Sequence, residues 1–202
     1  MSTPLVQPAV RQMWAALRML VVMTVLVGLA YPLVMTGFAQ VIFPDHADGS
    51  IVEKDGKPVG SSLIGQSFAG KPEYFQSRPS AAGDGYDTLA SSASNLGPEN
   101  EDLIAAIEER REAAVELDGT DPDEVAPDAL LASGSGLDPD ISPEYAEQQV
   151  ARIARERGLS EDAVRALVDE NTGGRLLGFL GEPHVNVLLL NLALDEASGQ
   201  AD

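Results

Sequence analysis

The sequence contains no cysteine, and histidine occurs only at positions 46 and 184. The lack of cysteine excludes disulfide bonds, thiolate metal ligands and cysteine nucleophiles. No histidine pair stands four residues apart, so a zinc site of the helical type is excluded as well. A hydrolase triad of Ser135, His184 and an aspartate can be written down. However, the surrounding "SGSG" does not match G-x-S-x-G, because Ser133 occupies the position of the first glycine.

Lysine is also scarce, and none follows Lys71. The stretch "LASGSGLDPDISPEYAEQQ" nevertheless places a glycine-rich loop before the start of a helix, as a phosphate-binding loop does. Without G-x-x-x-x-G-K-[ST] it is not a P-loop. An anion could then meet only backbone N–H groups where the helix begins. The favoured interpretation is structural: Gly134 and Gly136 permit a tight turn, and Ser142 with Pro143 begins the helix.

Basic residues are far outnumbered, with 13 Lys and Arg against 32 Asp and Glu and a formal net charge of -19. This balance argues against nucleic-acid binding, which depends on clustered Lys and Arg. The segment "QVARIARERGLSEDAVRALVDE" has the rhythm of a helix-turn-helix. Because of the charge, we interpret it as an ordinary pair of packed helices.

Residues 19–44 contain no charged side chain, and about 20 apolar residues suffice to cross a bilayer as a helix. We predict an uncleaved transmembrane helix over this range, kinked at Pro32. A signal peptide cleaved near Ala39 is the alternative, although the apolar run is long for one. Arg11 and Arg18 precede the run and acidic residues follow it, so the positive-inside rule predicts a cytoplasmic N-terminal tail, 1–18.

The remainder, 45–196, is then predicted to form one extracytoplasmic domain, followed by a disordered tail, 197–202. Residues 45–202 carry a formal charge of -21, since residues 1–44 hold two arginines and no acid. Asp55-Gly56 predicts a hairpin turn within Ser50–Gln66. The segment Lys71–Pro98 is interpreted as a long ordered loop, because its aromatic residues need a surface on which to pack.

Three helices and one strand complete the predicted domain, giving an α+β fold. The first helix covers Glu99–Leu117, the second begins at Ser142 and ends at Gly158, and the third begins after Ser160. The run His184–Glu196 favours a central buried strand, with a helix as the alternative. The acidic stretch Asp118–Asp128 raises calcium binding, but it lacks the EF-hand order and is interpreted as a solvated loop.

Six segments in one order resemble the C subunit of the Kdp potassium-transporting ATPase. They are "GSSLIGQSF", "YFQSRPSA", "YDTLASSASNLGPEN", "SGSGLDPDISP", "QVARIARERGL" and "LGEPHVNVLLLNLALD". The resemblance extends from the apolar run to about Asp195. It implies a non-catalytic membrane subunit whose partners are a channel-like A subunit, a P-type ATPase B subunit and a small F subunit.

The resemblance also implies a role for this subunit as a catalytic chaperone. It would stabilise the assembly and raise the ATP affinity of the B subunit. The glutamine associated with that nucleotide role falls on Gln149, and ATP is the cofactor that the resemblance suggests, although not as a firmly bound group. The alternative function is a membrane-anchored extracytoplasmic binding module unrelated to ion transport. The acidic surface would either attract cations to a potassium path or adapt the protein to salt.

Overall fold

A computed structural model describes residues 6–199 as two units, which divide at Ser50 and are considered separately. The first unit is helical throughout most of its length. It comprises α1 (Val6–Met23), a π-helical stretch (Thr24–Ala30), α2 (Tyr31–Ile42) and the short α3 (Pro44–Ala47). Together Ala9–Ile42 form one helix long and apolar enough to cross a membrane, so the structure agrees with the predicted span and begins it earlier.

The π-helical stretch lies directly before Pro32. Proline lacks an N–H group, and its ring crowds the carbonyl group four residues earlier. In the preceding turns the helix widens, and the N–H group of Tyr31 bonds the carbonyl oxygen of Leu26, five residues back. The structure therefore has a π-helical stretch directly before Pro32, the residue at which a kink was predicted.

The second unit begins with the predicted hairpin. Strands β1 (Ile51–Lys54) and β2 (Lys57–Ser61) pair antiparallel, with a bulge after Val52. Asp55 and Gly56 have φ values of 54° and 72°, as the type I′ turn requires at both central residues. Between Ser61 and Glu101 the chain forms turns and loops only, which confirms the long ordered loop.

The three predicted helices of this unit lie close to their predicted positions. They are α4 (Glu101–Asp118), α6 (Pro143–Arg157) and α7 (Glu161–Glu170), and the short α5 (Pro127–Leu130) between the first two was not predicted. Side-chain oxygens of Asn100, Ser142 and Ser160 cap the N-termini of the three long helices. Gly119 and Gly158 end α4 and α6 in the left-handed conformation, where glycine carries no steric penalty.

The last part of the chain corrects the predicted strand. Only His184–Asn186 is strand β5. It lies between β3 (Asp140–Ile141) and β4 (Thr172–Gly173) in an antiparallel sheet. From Val187 to Ser198 the chain is helix α8. Asn186 caps this helix, and the leucines that follow repeat with helical spacing, so the alternative interpretation was the right one.

The core lies between α6, α7, α8 and the sheet. Its most fully buried apolar residues are Phe75, Ala146, Val150, Ile153, Val164, Val185, Val187, Leu190 and Leu194. Val164 and Val168 of α7 are buried in this core, whereas Ile104 of α4 is 55% exposed. Helix α8 extends into the segment predicted as a disordered tail, and residues 200–202 of that tail lie outside the described residues. The mixed helix-and-sheet fold with one N-terminal apolar helix is confirmed.

Candidate functional site

Gln149, the residue singled out for a nucleotide role, is fully buried on α6. Its Oε1 atom accepts hydrogen bonds from the backbone N–H of Gln76 at 2.6 Å and from Nη2 of Arg152 at 2.7 Å. Its Nε2 atom donates to the carbonyl oxygens of Tyr145 at 3.2 Å and Gln76 at 3.3 Å. Protein groups therefore use both donors and both acceptor positions of the amide.

Arg152 continues the cluster one turn along α6 and is fully buried. Its Nε atom bonds Oδ1 of Asp118 at 2.7 Å, and its Nη1 atom donates to the carbonyl oxygens of Pro72 and Tyr74. The second carboxylate oxygen of Asp118 accepts from Gln148 at 2.8 Å. Because both charges lie away from water, each requires the other, and removing one partner is far more costly than removing both.

A second ion pair joins the ends of α6 and α8. Nη2 of Arg157 bonds Oδ1 of Asp195 at 2.8 Å, and Lys54 of the hairpin bonds the other carboxylate oxygen at 3.0 Å. The hydrogen bond to Asp195 is the main cause that raises the pKa of Lys54, while desolvation opposes it. The guanidinium of Arg157 also lies 4.5 Å from the ring centroid of Tyr74.

These side chains converge on one stretch of backbone, Pro72–Gln76, which we call the clamped segment. Arg157 donates a hydrogen bond to the carbonyl oxygen of Glu73. Asn191 of α8 bonds both the N–H and the C=O of Phe75, at 2.8 and 3.1 Å. Every carbonyl of the segment thus accepts a side-chain hydrogen bond, from these residues or from Gln149 and Arg152. Side chains of two helices thus satisfy the backbone carbonyl groups of a segment that lies outside any sheet.

The glycine-rich loop packs against the chain near Ala82 and Ser92. Gly136 has a φ of 67°, and a β-carbon there would lie 2.7 Å from backbone atoms of both those residues. The carbonyl of Gly136 accepts from Ser80 Oγ at 2.6 Å, and Arg78 forms an ion pair of 3.1 Å with Asp138. The structural interpretation of this loop is confirmed at Gly136, because a larger side chain has neither the space nor the backbone conformation.

A cavity of about 310 Å³ lies between this part of the long loop and α4. Phe68, Arg78, Tyr86, Arg110 and Tyr145 are among its lining residues. Burial is the main cause that raises the pKa of both Tyr86 and Tyr145, so both phenols stay neutral at physiological pH. The described lining therefore offers hydroxyl groups and guanidinium N–H groups, and the carboxylate of Asp118, which also lines the cavity, is already bonded to Arg152 and Gln148.

The residues of the possible hydrolase triad, and Arg165 of the segment that resembles a helix-turn-helix, lie in separate places. Ser135 accepts hydrogen bonds from Ser91, Ser92 and Leu137, and none joins it to His184, an exposed residue of β5 whose ring packs against Gly173. Arg165 on α7 is engaged by three carboxylates, those of Glu147, Glu161 and Asp162.

The acidic stretch does not converge on a point either. Asp121 caps a 3₁₀ turn (Pro122–Glu124), Asp118 pairs with Arg152, and Asp128 accepts from the N–H of Ser142 at 2.6 Å. Within residues 6–199, no group of three His, Asp or Glu side chains is arranged to hold a metal ion.

Comparison with known proteins decides the family. Residues 13–196 match the family of the K⁺-transporting ATPase, c chain (KdpC). The chain belongs to the KdpC family. Three relatives, each named potassium-transporting ATPase KdpC subunit, illustrate the likeness. The Kineococcus radiotolerans protein is 61% identical over 188 residues, covering 93% of this chain and 95% of the relative. The Beijerinckia indica protein is 53% identical over 177 residues (87% and 89%), and the Mycobacterium tuberculosis protein is 51% identical over 186 residues (92% and 98%).

The family match therefore includes all of the residues that hold the clamped segment. Sequence reasoning found only Gln149 among them. A weak signal for the others existed: Asn191 and Asp195 interrupt the apolar run of α8 four residues apart, hence on one face. Arg152 likewise stands between Val150 and Ile153 on the buried side of α6. A charged residue at a core position requires a buried partner, but the sequence does not say which one.

Proposed function

We propose that this chain is a non-catalytic accessory subunit of an ATP-driven potassium uptake complex. The observation that carries the proposal is the extent of the family match. It includes most of the apolar helix as well as nearly all of the body, and the relatives align over most of their own lengths. A likeness that includes both the membrane helix and the body supports the same assembly, with A, B and F subunits as partners.

The non-catalytic role is supported by how the charged groups of the body are used. Arg152, Asp118, Arg157 and Asp195 are all buried in ion pairs that hold the clamped segment. Such groups stabilise a fold, whereas a catalytic acid or base needs access to a substrate. ATP hydrolysis would then take place on the B subunit, and this subunit would stabilise the assembly.

The body is proposed to lie outside the cytoplasm, as the arginines before the apolar helix favour. A body in that position cannot touch cytoplasmic ATP. We therefore propose that this subunit raises ATP affinity indirectly, by favouring one conformation of the pump. The contribution of Gln149 would be to keep the clamped segment in place, since its amide already has protein partners on all sides.

Co-purification tests this function. The chain, tagged at its C-terminus and solubilised with its native membranes in mild detergent, is expected to be recovered with a P-type ATPase and a channel-like protein. Complexes lacking the chain are expected to be less stable and to show a higher apparent KM for ATP. Recovery of the chain alone, with an unchanged ATPase in its absence, would instead support a binding module unrelated to ion transport.

A further inference from the structure

The connection between β4 and β5 displays four large apolar side chains to solvent. Leu176, Leu177, Phe179 and Leu180 are 69%, 77%, 70% and 48% exposed. We call these four residues the apolar tip. Single exposed leucines are ordinary on protein surfaces, but a contiguous apolar group is typical of an interaction site.

The apolar tip is held in shape by its own backbone. Leu176 and Leu180 exchange two hydrogen bonds, of 2.8 and 3.0 Å, which close a small loop. Within it Leu177 has a φ of 55°, a conformation that leucine rarely adopts, and Gly178 follows with a φ of 81°. Arg175 and Glu182 form an ion pair of 2.7 Å across the base of the loop. A loop arranged in this way presents its side chains in a fixed order before any partner arrives.

The side chains of the apolar tip do not contribute to the hydrophobic core of this domain. Val185, in the strand β5 that follows the connection, is fully buried in the core, whereas the tip residues remain outside it. A connection between two antiparallel strands can be made with two residues, so its length is not needed for the sheet. The apolar tip therefore stabilises something other than the fold of the isolated chain.

We propose that the apolar tip docks into an apolar, uncharged groove on another protein subunit of the ATPase complex. This inference rests on the proposed function, which supplies the complex. Two large apolar residues at the end of the loop, Leu177 and Phe179, are the anchors, since interfaces depend on a few desolvated side chains at their centre.

The charges near the apolar tip favour a protein groove over a lipid surface. Segments that lie in a membrane interface commonly combine apolar residues with Lys or Arg that meet anionic headgroups. After Arg165 the sequence has no lysine and a single arginine, Arg175, which forms an ion pair with Glu182. The rest of the body is strongly acidic and is repelled by anionic lipid. An uncharged groove, in contrast, requires no positive charge on the loop.

Replacing the two anchors in the full complex tests the docking. The test variant is Leu177→Asn/Phe179→Asn. Asparagine is chosen because it tolerates the positive φ at position 177. The matched control is Leu89→Asn, which removes a leucine that is 96% exposed elsewhere on the body. We expect recovery of the double variant with the ATPase to fall on the order of ten-fold or more in detergent, and the control to behave as wild type. Both variants should keep the thermal unfolding temperature of the wild-type chain.

A tryptophan at the apolar tip separates protein from lipid as the occupant. In the full chain carrying Phe179→Trp and Trp14→Phe, the emission is expected to shift to shorter wavelength in the assembled complex. The same chain alone, reconstituted in phosphatidylcholine vesicles, is expected to show no shift. A shift in vesicles without partners would overturn the proposal in favour of lipid.

Unchanged recovery of the double variant would overturn the proposal while leaving the proposed function intact. Failure of the wild-type chain to co-purify would overturn both.

Discussion

The side chain of Gln149 bonds both the backbone N–H and the backbone C=O of Gln76, at 2.6 and 3.3 Å, across 73 positions of sequence. Asn191, on a different helix, likewise bonds both the backbone N–H and the backbone C=O of Phe75. Primary amides match the donor and acceptor of a peptide unit, so each one occupies the place of a neighbouring strand. The clamped segment is thus ordered by α6 and α8, and Arg152 and Arg157 of α6 add hydrogen bonds to its carbonyl groups.

Substituting Gln149 is expected to destabilise the body. In Gln149→Leu the N–H of Gln76 and one guanidinium edge of Arg152 lose their acceptor, at a cost of about 1–3 kcal/mol for each buried group left unpaired. Denaturant unfolding of the full chain in mild detergent measures this change. Glu147→Leu, an exposed position on the same helix, is the control, and a change within about 0.5 kcal/mol is expected there. Equal effects in the two variants would show that the amide of Gln149 is dispensable to the fold.

The pair of Asp118 and Arg152 is expected to be strongly coupled. Asp118→Ala leaves a buried guanidinium without its carboxylate and should cost about 3–5 kcal/mol, whereas Asp118→Ala with Arg152→Met should cost less than the sum of the single changes. A double-mutant cycle by denaturant unfolding gives the coupling. Arg165→Met, at an exposed arginine with three carboxylate partners, should change stability by no more than about 1 kcal/mol. Additive effects at Asp118 and Arg152 would contradict the coupling.

Gly136 and Gly134 offer a matched pair in one loop. In Gly136→Ala the new β-carbon meets the backbone of Ala82 and Ser92 at 2.7 Å with a φ of 67°, so both sterics and conformation oppose it. We expect a loss of stability of about 2 kcal/mol or more, measured by thermal unfolding. Gly134→Ala has open space around its β-carbon and should be nearly neutral. A tolerant Gly136→Ala would mean that the loop moves freely away from its neighbours.

The elements that sequence reasoning predicted correctly are those with local signals. Asp55-Gly56 fixes a turn by its own backbone preference, and Ser142 and Ser160 cap helices through residues three positions away. The prediction of a strand after Asn186 was wrong because a short apolar run is equally compatible with a buried strand and a buried helix. The contacts of the clamped segment were not predicted, because they join residues 72–76 to residues far along the chain. No local sequence pattern pairs Asn191 with Phe75.

The orientation of the body can be tested by protease access. The arginines before the apolar helix and the acids after it predict that a tag following residue 202 is digested when protease is added to spheroplasts. An N-terminal tag on the same chain should remain protected until lysis. The reverse pattern would place the body in the cytoplasm and make direct contact with ATP available again.

The acidic surface supports a final prediction, on potassium affinity. Exposed acidic residues are distributed over α4, the 121–124 turn and α7 rather than clustered in one place. Scattered carboxylates keep a protein soluble in salt but focus cations weakly. We therefore expect Asp123→Asn/Glu124→Gln to leave the apparent KM of the complex for potassium unchanged. Asp121 is left in place because it caps the turn.

Ionic strength distinguishes this expectation from cation focusing. The screening length is about 10 Å at 0.1 M salt and about 3 Å at 1 M, so a diffuse potential acts only in dilute salt. Potassium transport by the complex is measured at both ionic strengths, with Glu109→Gln/Glu112→Gln on α4 as the control of equal charge change. If the acids serve solubility, the two variants differ from wild type only in their tendency to aggregate at high salt. A higher KM for potassium in the Asp123/Glu124 variant alone, confined to low ionic strength, would instead assign the 121–124 turn to the cation path.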